Sequence, residues 1–376
     1  VQAGYINDEI GRLRAEYPDI PLYAVITDIC ASGGYYIAAA ADYIYADKDA
    51  NVAFIHNAQY PARNDDWDWS GDMPGDPPDL ISQGYRPWRY LPKLVNPVSG
   101  LVFNSNNTPY SATDGPDNLR AQDFPQSMGL QTNQSNRSLR MIELTDGKTP
   151  INEPDLLALK FDTAYAKGSE EAELIARVLE IDWSQEPEMA EAAKRLAAWD
   201  RKMNADSRYA ALGGLTVLRE VTAKYTHLPA PKPETAFREA VEWLTVHHGR
   251  IDPEWGEVNR LVRGKASLPI SGAADTLRAV YPEAMGDDGE LHMTAGDTWI
   301  ALVEWDQQGH QQARVISPFG SATLDKASPH YADQAPLFAA EQTRPTLLTE
   351  EAVRAHLKRE YRPGEIGFPW YATDDS

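Results

Sequence analysis

A lone cysteine, Cys30, stands in 376 residues, so an intrachain disulfide is excluded and the redox compartment stays open. Long apolar runs are missing as well. Nothing reaches the ~20 residues that a membrane-spanning helix needs. Positive charge is scarce: 35 Lys and Arg face 56 Asp and Glu, a formal net charge of −21. Such a field repels phosphate backbones and argues against a nucleic-acid partner. Internal repeats and low-complexity tracts are absent. His56 and the pair His247–His248 have no Cys or Glu at metal-ligand spacing, so neither a metal nor another cofactor is expected. The acidic string NDDWDW, Asn64–Trp69, reads as turn carboxylates in solvent. The chain opens at Val1 with no initiator Met and no charged-then-apolar leader, and an incomplete N-terminus is the expectation.

What is present suits a folded protein of one large or two ordinary domains. Hydrophobic residues make up 42% and charged residues 24%, with ten Trp and 18 Tyr. Residues 1–53 read as a small α/β piece: a helix over Ile6–Glu16, a buried-type strand over Leu22–Ile29, a helix opened by Gly33-Gly34, and a short strand at Tyr43–Ala46. From about Phe54 to Pro154 Pro, Gly, Asn, Asp and Trp dominate. An irregular wrapping segment is expected there, with Trp67, Trp69, Trp88 and Tyr90 buried. Helical spacing covers Glu153–Ile181, Pro187–Asn204, Arg208–Lys224 and Glu234–His248. DTWIALVEWD and QARVISPFG then read as strands around a turn at Gln307–Gly309. The fold class is α+β.

Ser32 lies where a strand passes into a helix, beside unpaired backbone N–H groups and followed by two glycines that let a carbonyl approach. A Ser there is equally an N-cap. The longer string VITDICASGGYYIAAAADYIYAD resembles the nucleophile segment of signal peptide peptidase A, a serine protease of crotonase-like fold. In that family the matching serine attacks and a downstream lysine is its base. Here residue 84 is Gly84, and the nearest lysine, Lys93, lies in LPKLVNP, which belongs to another pattern. A serine without its base is a poor nucleophile, and Ser32 is expected to be inert.

From His56 onward the chain resembles the penicillin acylase family, in particular its acyl-homoserine-lactone and aculeacin acylase branch. The strings HNAQYPARNDDWDWSGDMPGD, GYRPWRYLPKLVNPVSGLVFNSNNTPYSATDG, SNRSLRMIELTDGKTPI, WGEVNRLVRGKASLPISGAADTLRAVYP, AGDTWIALVEWD and ASPHYADQAPLFAAEQTRP carry it in order. The resemblance implies an N-terminal-nucleophile hydrolase of N-acyl amides, in which a serine's own α-amine is the base. It further implies a partial αββα sandwich with a helical insertion over about 153–250, preceded by the short crotonase-like fragment, and hence domains at 1–53 and 54–376. Asn106 matches the oxyanion-hole asparagine, although Asn104, Asn106 and Asn107 could all serve only the turn before Pro109. Arg137 matches an arginine near substrate and nucleophile, with Arg140 as the fallback and a helix-surface ion pair as the plainer role. Asp117 matches a calcium-ligand position, but the other oxygens of such a site have no counterpart here.

The family's serine-led β-chain start, Ser-Asn-Xaa-Trp in type, has no counterpart either. The expectation is therefore roughly the C-terminal half of an acylase β-chain, joined near Val52–Phe54 to a fragment of an unrelated protease and inactive as it stands. The partners implied are a small-molecule N-acyl substrate and an acylase α-chain or β-chain N-terminal half. The implied compartment is the periplasm or the exterior. A Ser/Lys protease and a non-catalytic acyl-binding protein are the alternative readings.

Overall fold

The computed structural model describes residues 12, 16, 23–25, 43–45, 53–56, 59–82, 84–148, 151–226, 229–282, 288–306, 308–322 and 324–357. Ser32, Cys30 and the helix expected after Gly33-Gly34 lie outside the described residues. The chain divides into two compact units, Val1–Val262 with Ser267–Gly296, and Arg263–Ala266 with Asp297–Ser376. The architecture is mixed α+β.

In the first unit, β1 (Tyr23–Val25) pairs parallel with β2 (Tyr43–Tyr45), the two strands read from the apolar runs. Strand β3 (Ala53–Ile55) pairs antiparallel with β4 (Lys93–Val95). Between and beyond them runs the irregular segment, held by short 3-10 turns at Pro78–Leu80, Trp88–Tyr90, Pro109–Ser111, Ala121–Asp123 and Gln126–Met128. Polar ties replace regular ladders. Asp79 accepts from Trp67 Nε1 at 2.7 Å and Asn64 Nδ2 at 3.1 Å, and Asp65 accepts from Arg86 Nη2 at 2.5 Å and from the Ser127 hydroxyl. Burial is expected of all four aromatics, but Trp67 and Trp69 are only half-buried and Trp88 and Tyr90 are 47% and 54% exposed. The reason is local: Lys93 Nζ sits 5.0 Å over the Trp88 ring and Arg89 4.8 Å over Tyr90. Cationic side chains, not a core, cover those rings.

Helices follow, each started by recognisable chemistry. Ser135 caps α1 (Asn136–Thr145), its hydroxyl accepting from Ser138 N–H. Asn152 and Asp155 form a capping box on α2 (Glu153–Lys160), and Ser169 caps α3 (Glu170–Leu179). The single helix expected over Glu153–Ile181 is thus two. Phe161 closes α2, Ala164 bridges to Lys202, and Ser169 restarts the chain in a new direction. The run continues with α4 (Pro187–Ala197), α5 (Ala210–Thr226), α6 (Pro233–His248) and the short α7 (Trp255–Val258). Gly249, at φ +65°, ends α6 in the left-handed conformation.

These helices enclose the main core, in which Leu174, Val178, Leu196, Leu212, Leu215, Phe237 and Leu244 are all at most 1% exposed. Each such side chain contributes about 1.5–3 kcal/mol of burial. A sheet ordered β6-β5-β8-β7 completes the unit, from β5 (Asn259–Arg263), β6 (Ala266–Pro269), β7 (Val280–Pro282) and β8 (Leu291–Gly296).

The second unit holds β9 (Ile300–Trp305) and β10 (Gln311–Ile316), antiparallel around the expected turn, then α8 (Ala335–Ala339), β11 (Arg344–Pro345) at the outer edge of β10, and α9 (Glu350–His356). Asp306 nucleates the turn by accepting from Gln308 and His310 N–H. Ile300, Ile316 and Phe338 are its large buried apolar side chains, and Arg263 stacks 3.7 Å over the Tyr331 ring.

Candidate functional site

The three asparagines before Pro109 divide their work. Asn104 Oδ1 accepts from Asn106 N–H at 2.9 Å. Asn107, buried, accepts from Ser105 N–H at 2.7 Å and donates to the Ser111 carbonyl at 2.6 Å. Those two side chains make the turn. Asn106 does not: it stands exposed at φ +59°, a left-handed conformation that Asn tolerates better than most residues. Its Oδ1 accepts from Arg137 Nη2 at 3.1 Å.

Two contacts from the start of α1 therefore hold Asn106. Ser135, the cap, donates its hydroxyl to the Ser105 carbonyl at 3.1 Å, and Arg137 grips the side chain. A guanidinium has donors only, so the amide edge facing it must be the oxygen. Nδ2 faces away, and no described residue accepts from it. An N–H pair fixed in this way and open to solvent can donate to an oxygen on which negative charge develops.

Behind Arg137 stands Asp275, 5% exposed and at φ +60°. Its Oδ1 accepts from Arg137 Nε at 2.9 Å and its Oδ2 from the backbone N–H of Asn136 at 2.7 Å. The second contact places a carboxylate on the first N–H of α1, where the helix dipole favours negative charge. Asn136, 2% exposed, closes the network by donating to the Asp275 carbonyl at 2.8 Å and accepting from Ala166 N–H at 2.7 Å. Nearby, burial pushes the Tyr165 phenol well up, with the carboxylates of Glu171 and Asp275 adding to it.

Asn106 and Arg137 are thus brought together, 31 residues apart in sequence. Arg137 is no local helix-surface pair. Arg140 makes the local pair, donating to Glu143 one turn on, and also grips Asp162, 22 positions away, with Nε and Nη2 at 2.8 and 2.9 Å. Its own charge is held more firmly, first by Asp162. Asp117 accepts from Val98 N–H at 2.5 Å and so holds a turn. His56 Nδ1 meets the Tyr60 hydroxyl, and His248 Nε2 meets the Gly289 carbonyl at 2.9 Å. Lys93 points to the Trp88 carbonyl at 3.1 Å. Sequence reasoning missed Asp275 and Asn136. Both lie inside strings that carry the family resemblance, but no spacing rule joins positions 138 apart. A surface cavity of about 480 Å³ lined by Arg195, Asp206, Ser207, Arg208, Tyr209 and Asp252 contains none of the expected residues.

The penicillin amidase family profile matches residues 26–355, and the chain belongs to that family. Among curated relatives, the acyl-homoserine lactone acylase PvdQ of Pseudomonas fluorescens is 28% identical over 107 residues, covering 28% of this chain and 13% of that protein. The penicillin G acylase of Escherichia coli is 23% identical over 381 aligned positions, covering 85% of this chain and 44% of the relative. The chain thus spans less than half the length of either. A solved structure, the thermostable penicillin G acylase of Alcaligenes faecalis, superposes with a TM-score of 0.49 at 16% identity, over 85% of this chain and 66% of that one.

Proposed function

We propose that the chain supplies the oxyanion-side half of an amidohydrolase that cleaves N-acyl compounds of the acyl-homoserine lactone, lipopeptide or β-lactam type. The observation that carries this reading is Asn106, whose oxygen is held by Arg137 while its N–H pair faces solvent. In the proposed reaction the scissile carbonyl lies against Nδ2, and the amide N–H stabilises the tetrahedral oxyanion as the acyl–nitrogen bond is attacked. Arg137 keeps the amide in that orientation and adds positive charge near the developing anion. The nucleophile is proposed to be the serine that opens a family β-chain, with its α-amine as base, on a stretch that this sequence does not contain.

The rest of the reading follows the same line. Residues 54–376 are proposed to be the C-terminal part of an acylase β-chain, contributing to an αββα sandwich. Residues 1–53 are proposed to be a peptidase-like fragment in which Ser32 has no catalytic part. The proposed setting is the periplasm or the exterior, where acylases of this kind would serve quorum quenching or antibiotic metabolism.

The test is hydrolysis of a chromogenic long-chain acyl amide by the chain assayed together with the upstream half of a family β-chain. Asn106→Ala is expected to lower kcat about 10²–10³-fold, and Ser32→Ala to leave it unchanged. The reverse pattern would move catalysis to Ser32. Binding of the amide with no turnover would make the chain an acyl-binding protein.

A further inference from the structure

We infer that Asp275 is the positioning residue of this site: its carboxylate, acting through Arg137, decides which edge of the Asn106 amide faces solvent. The Nε–H and one Nη2–H of a guanidinium lie along a single edge. In Arg137 that edge is shared, with Nε on Asp275 at 2.9 Å and Nη2 on Asn106 at 3.1 Å. Fixing the first contact fixes the plane and therefore the second. Asp275 itself is fixed from four sides. Its other carboxylate oxygen takes the Asn136 N–H at 2.7 Å, and its carbonyl takes Asn136 Nδ2 at 2.8 Å. Before it, the Ala274 carbonyl takes the Tyr165 hydroxyl at 3.0 Å, and after it Thr276 Oγ1 accepts from Ala273 N–H at 3.0 Å. The left-handed backbone at Asp275, φ +60°, is a conformation that most side chains disfavour and that surrounding contacts must maintain. Its persistence here aims the carboxylate at the base of α1.

The charge matters as much as the shape. Two separate N–H donors, one cationic, address two separate oxygens. An Asn at this position has one oxygen, and its NH2 group would face a donor. Asp275→Asn therefore keeps the volume and loses one of the two contacts. The role proposed for Asp275 in catalysis rests on the oxyanion reading of Asn106; its role in orienting the amide does not.

The experiment has a spectroscopic arm and a kinetic arm. The chain is labelled with 15N at Asn and Arg, and the Asn106 Nδ2 pair and the Arg137 Nε–H are assigned by Asn106→Asp and Arg137→Lys. In the native chain the Arg137 Nε–H is expected to be shifted downfield and slow to exchange, and the two Asn106 amide protons to be well separated. In Asp275→Asn the Nε–H signal is lost and the amide pair moves towards free-amide shifts. Arg137→Met, which leaves Asp275 in place on Asn136, produces the same change at Asn106, and keeps the test decisive should Asp275→Asn fail to fold. An Asn106 pair unmoved in Arg137→Met, or in a folded Asp275→Asn, overturns the inference.

In the kinetic arm, run on the chain together with the upstream half of a family β-chain, Asp275→Asn lowers kcat about 10²-fold with little change in KM, the cost of a misplaced catalytic group. In an Asn106→Ala background the same change costs less than about 3-fold, because the two residues act as one unit. Independent, multiplying losses would refute the positioning role. No turnover by the native chain even when it is assayed together with the upstream half of a family β-chain would sink the amidohydrolase reading and leave the spectroscopic arm to decide this one.

Discussion

Gly213 lies in the interior of α5, where glycine is about 1 kcal/mol worse than alanine. On propensity alone Gly213→Ala stabilises the protein. The packing says otherwise. A Cβ at this position meets Trp199 Cε3, Cζ3 and Cδ2 at 2.3, 2.4 and 2.7 Å, closer than carbon atoms approach one another. Nor can the indole step aside, for it is 5% exposed, donates Nε1–H to the Lys202 carbonyl at 3.0 Å and stands edge-on to Tyr165 at 6.1 Å. Overpacking of this kind costs roughly 1–3 kcal/mol, and three contacts this short belong at the upper end. Subtracting the propensity gain leaves a net loss of about 2 kcal/mol. In a unit spanning Val1–Val262 and Ser267–Gly296 that lowers Tm by about 3 °C. The assay is urea unfolding followed by far-UV dichroism and tryptophan fluorescence, with Gly75→Ala as the control, since a Cβ at Gly75 meets nothing within 4 Å. The control should stay within about 0.5 kcal/mol of the native chain. A Gly213→Ala protein as stable as the native one, or more so, would refute the reasoning.

Two further outcomes follow from ion pairs of different burial. Arg140→Ala strands the Asp162 carboxylate, 13% exposed, with only the Ala164 N–H for company among the described residues. The expected loss is about 2–3 kcal/mol, between an exposed pair and a fully buried one. Arg140→Lys recovers only part of it, because an ammonium cannot reproduce the two-pronged contact; full recovery in denaturant unfolding would contradict the geometry. Asp65 titrates below the usual carboxylate range, held there first by the Ser127 hydroxyl and then by Arg86. Its folded-state value is depressed, so its contribution to stability is present above the unfolded-state value and is lost as pH falls through the lower, folded one. A 13C-carboxyl titration should show Asp65 still ionised where ordinary aspartates have protonated. A midpoint at or above the ordinary range would be the contrary result.

How far the sequence could be read depended on the range of the interaction involved. The strands at Tyr43–Tyr45, Ile300–Trp305 and Gln311–Ile316 were legible from a few residues, because apolar alternation and a turn are local signals. So were the starts of α4 and α6, each with Pro in its first turn. The break between α2 and α3 was not. Apolar spacing runs straight through it, and what ends α2 is Asp162 turning to Arg140 and Thr163 Oγ1 to Asn204, partners that no window of sequence contains. The exposure of Trp88 was hidden for a related reason. An aromatic residue requires cover, but sequence does not say whether a core or a lysine five positions on will provide it.

At the candidate site the same divide falls within four consecutive residues, 104–107. Asn104, Asn106 and Asn107 are alike to any rule about turns, and two of the three obey it. What separates Asn106 is a guanidinium 31 positions away, which is itself aimed by a carboxylate 138 positions further on. Turn chemistry predicts that removing Asn104 or Asn107 loosens the backbone before Pro109, an effect on stability. The network predicts that removing Asn106 costs only about 1 kcal/mol, the strain of a left-handed backbone in another residue, since its exposed side chain completes no turn and fills no core. On the proposed reading, an asparagine that completes no turn, yet which Ser135, Arg137 and one buried aspartate hold in place, is a group kept for what it can donate to something outside the protein.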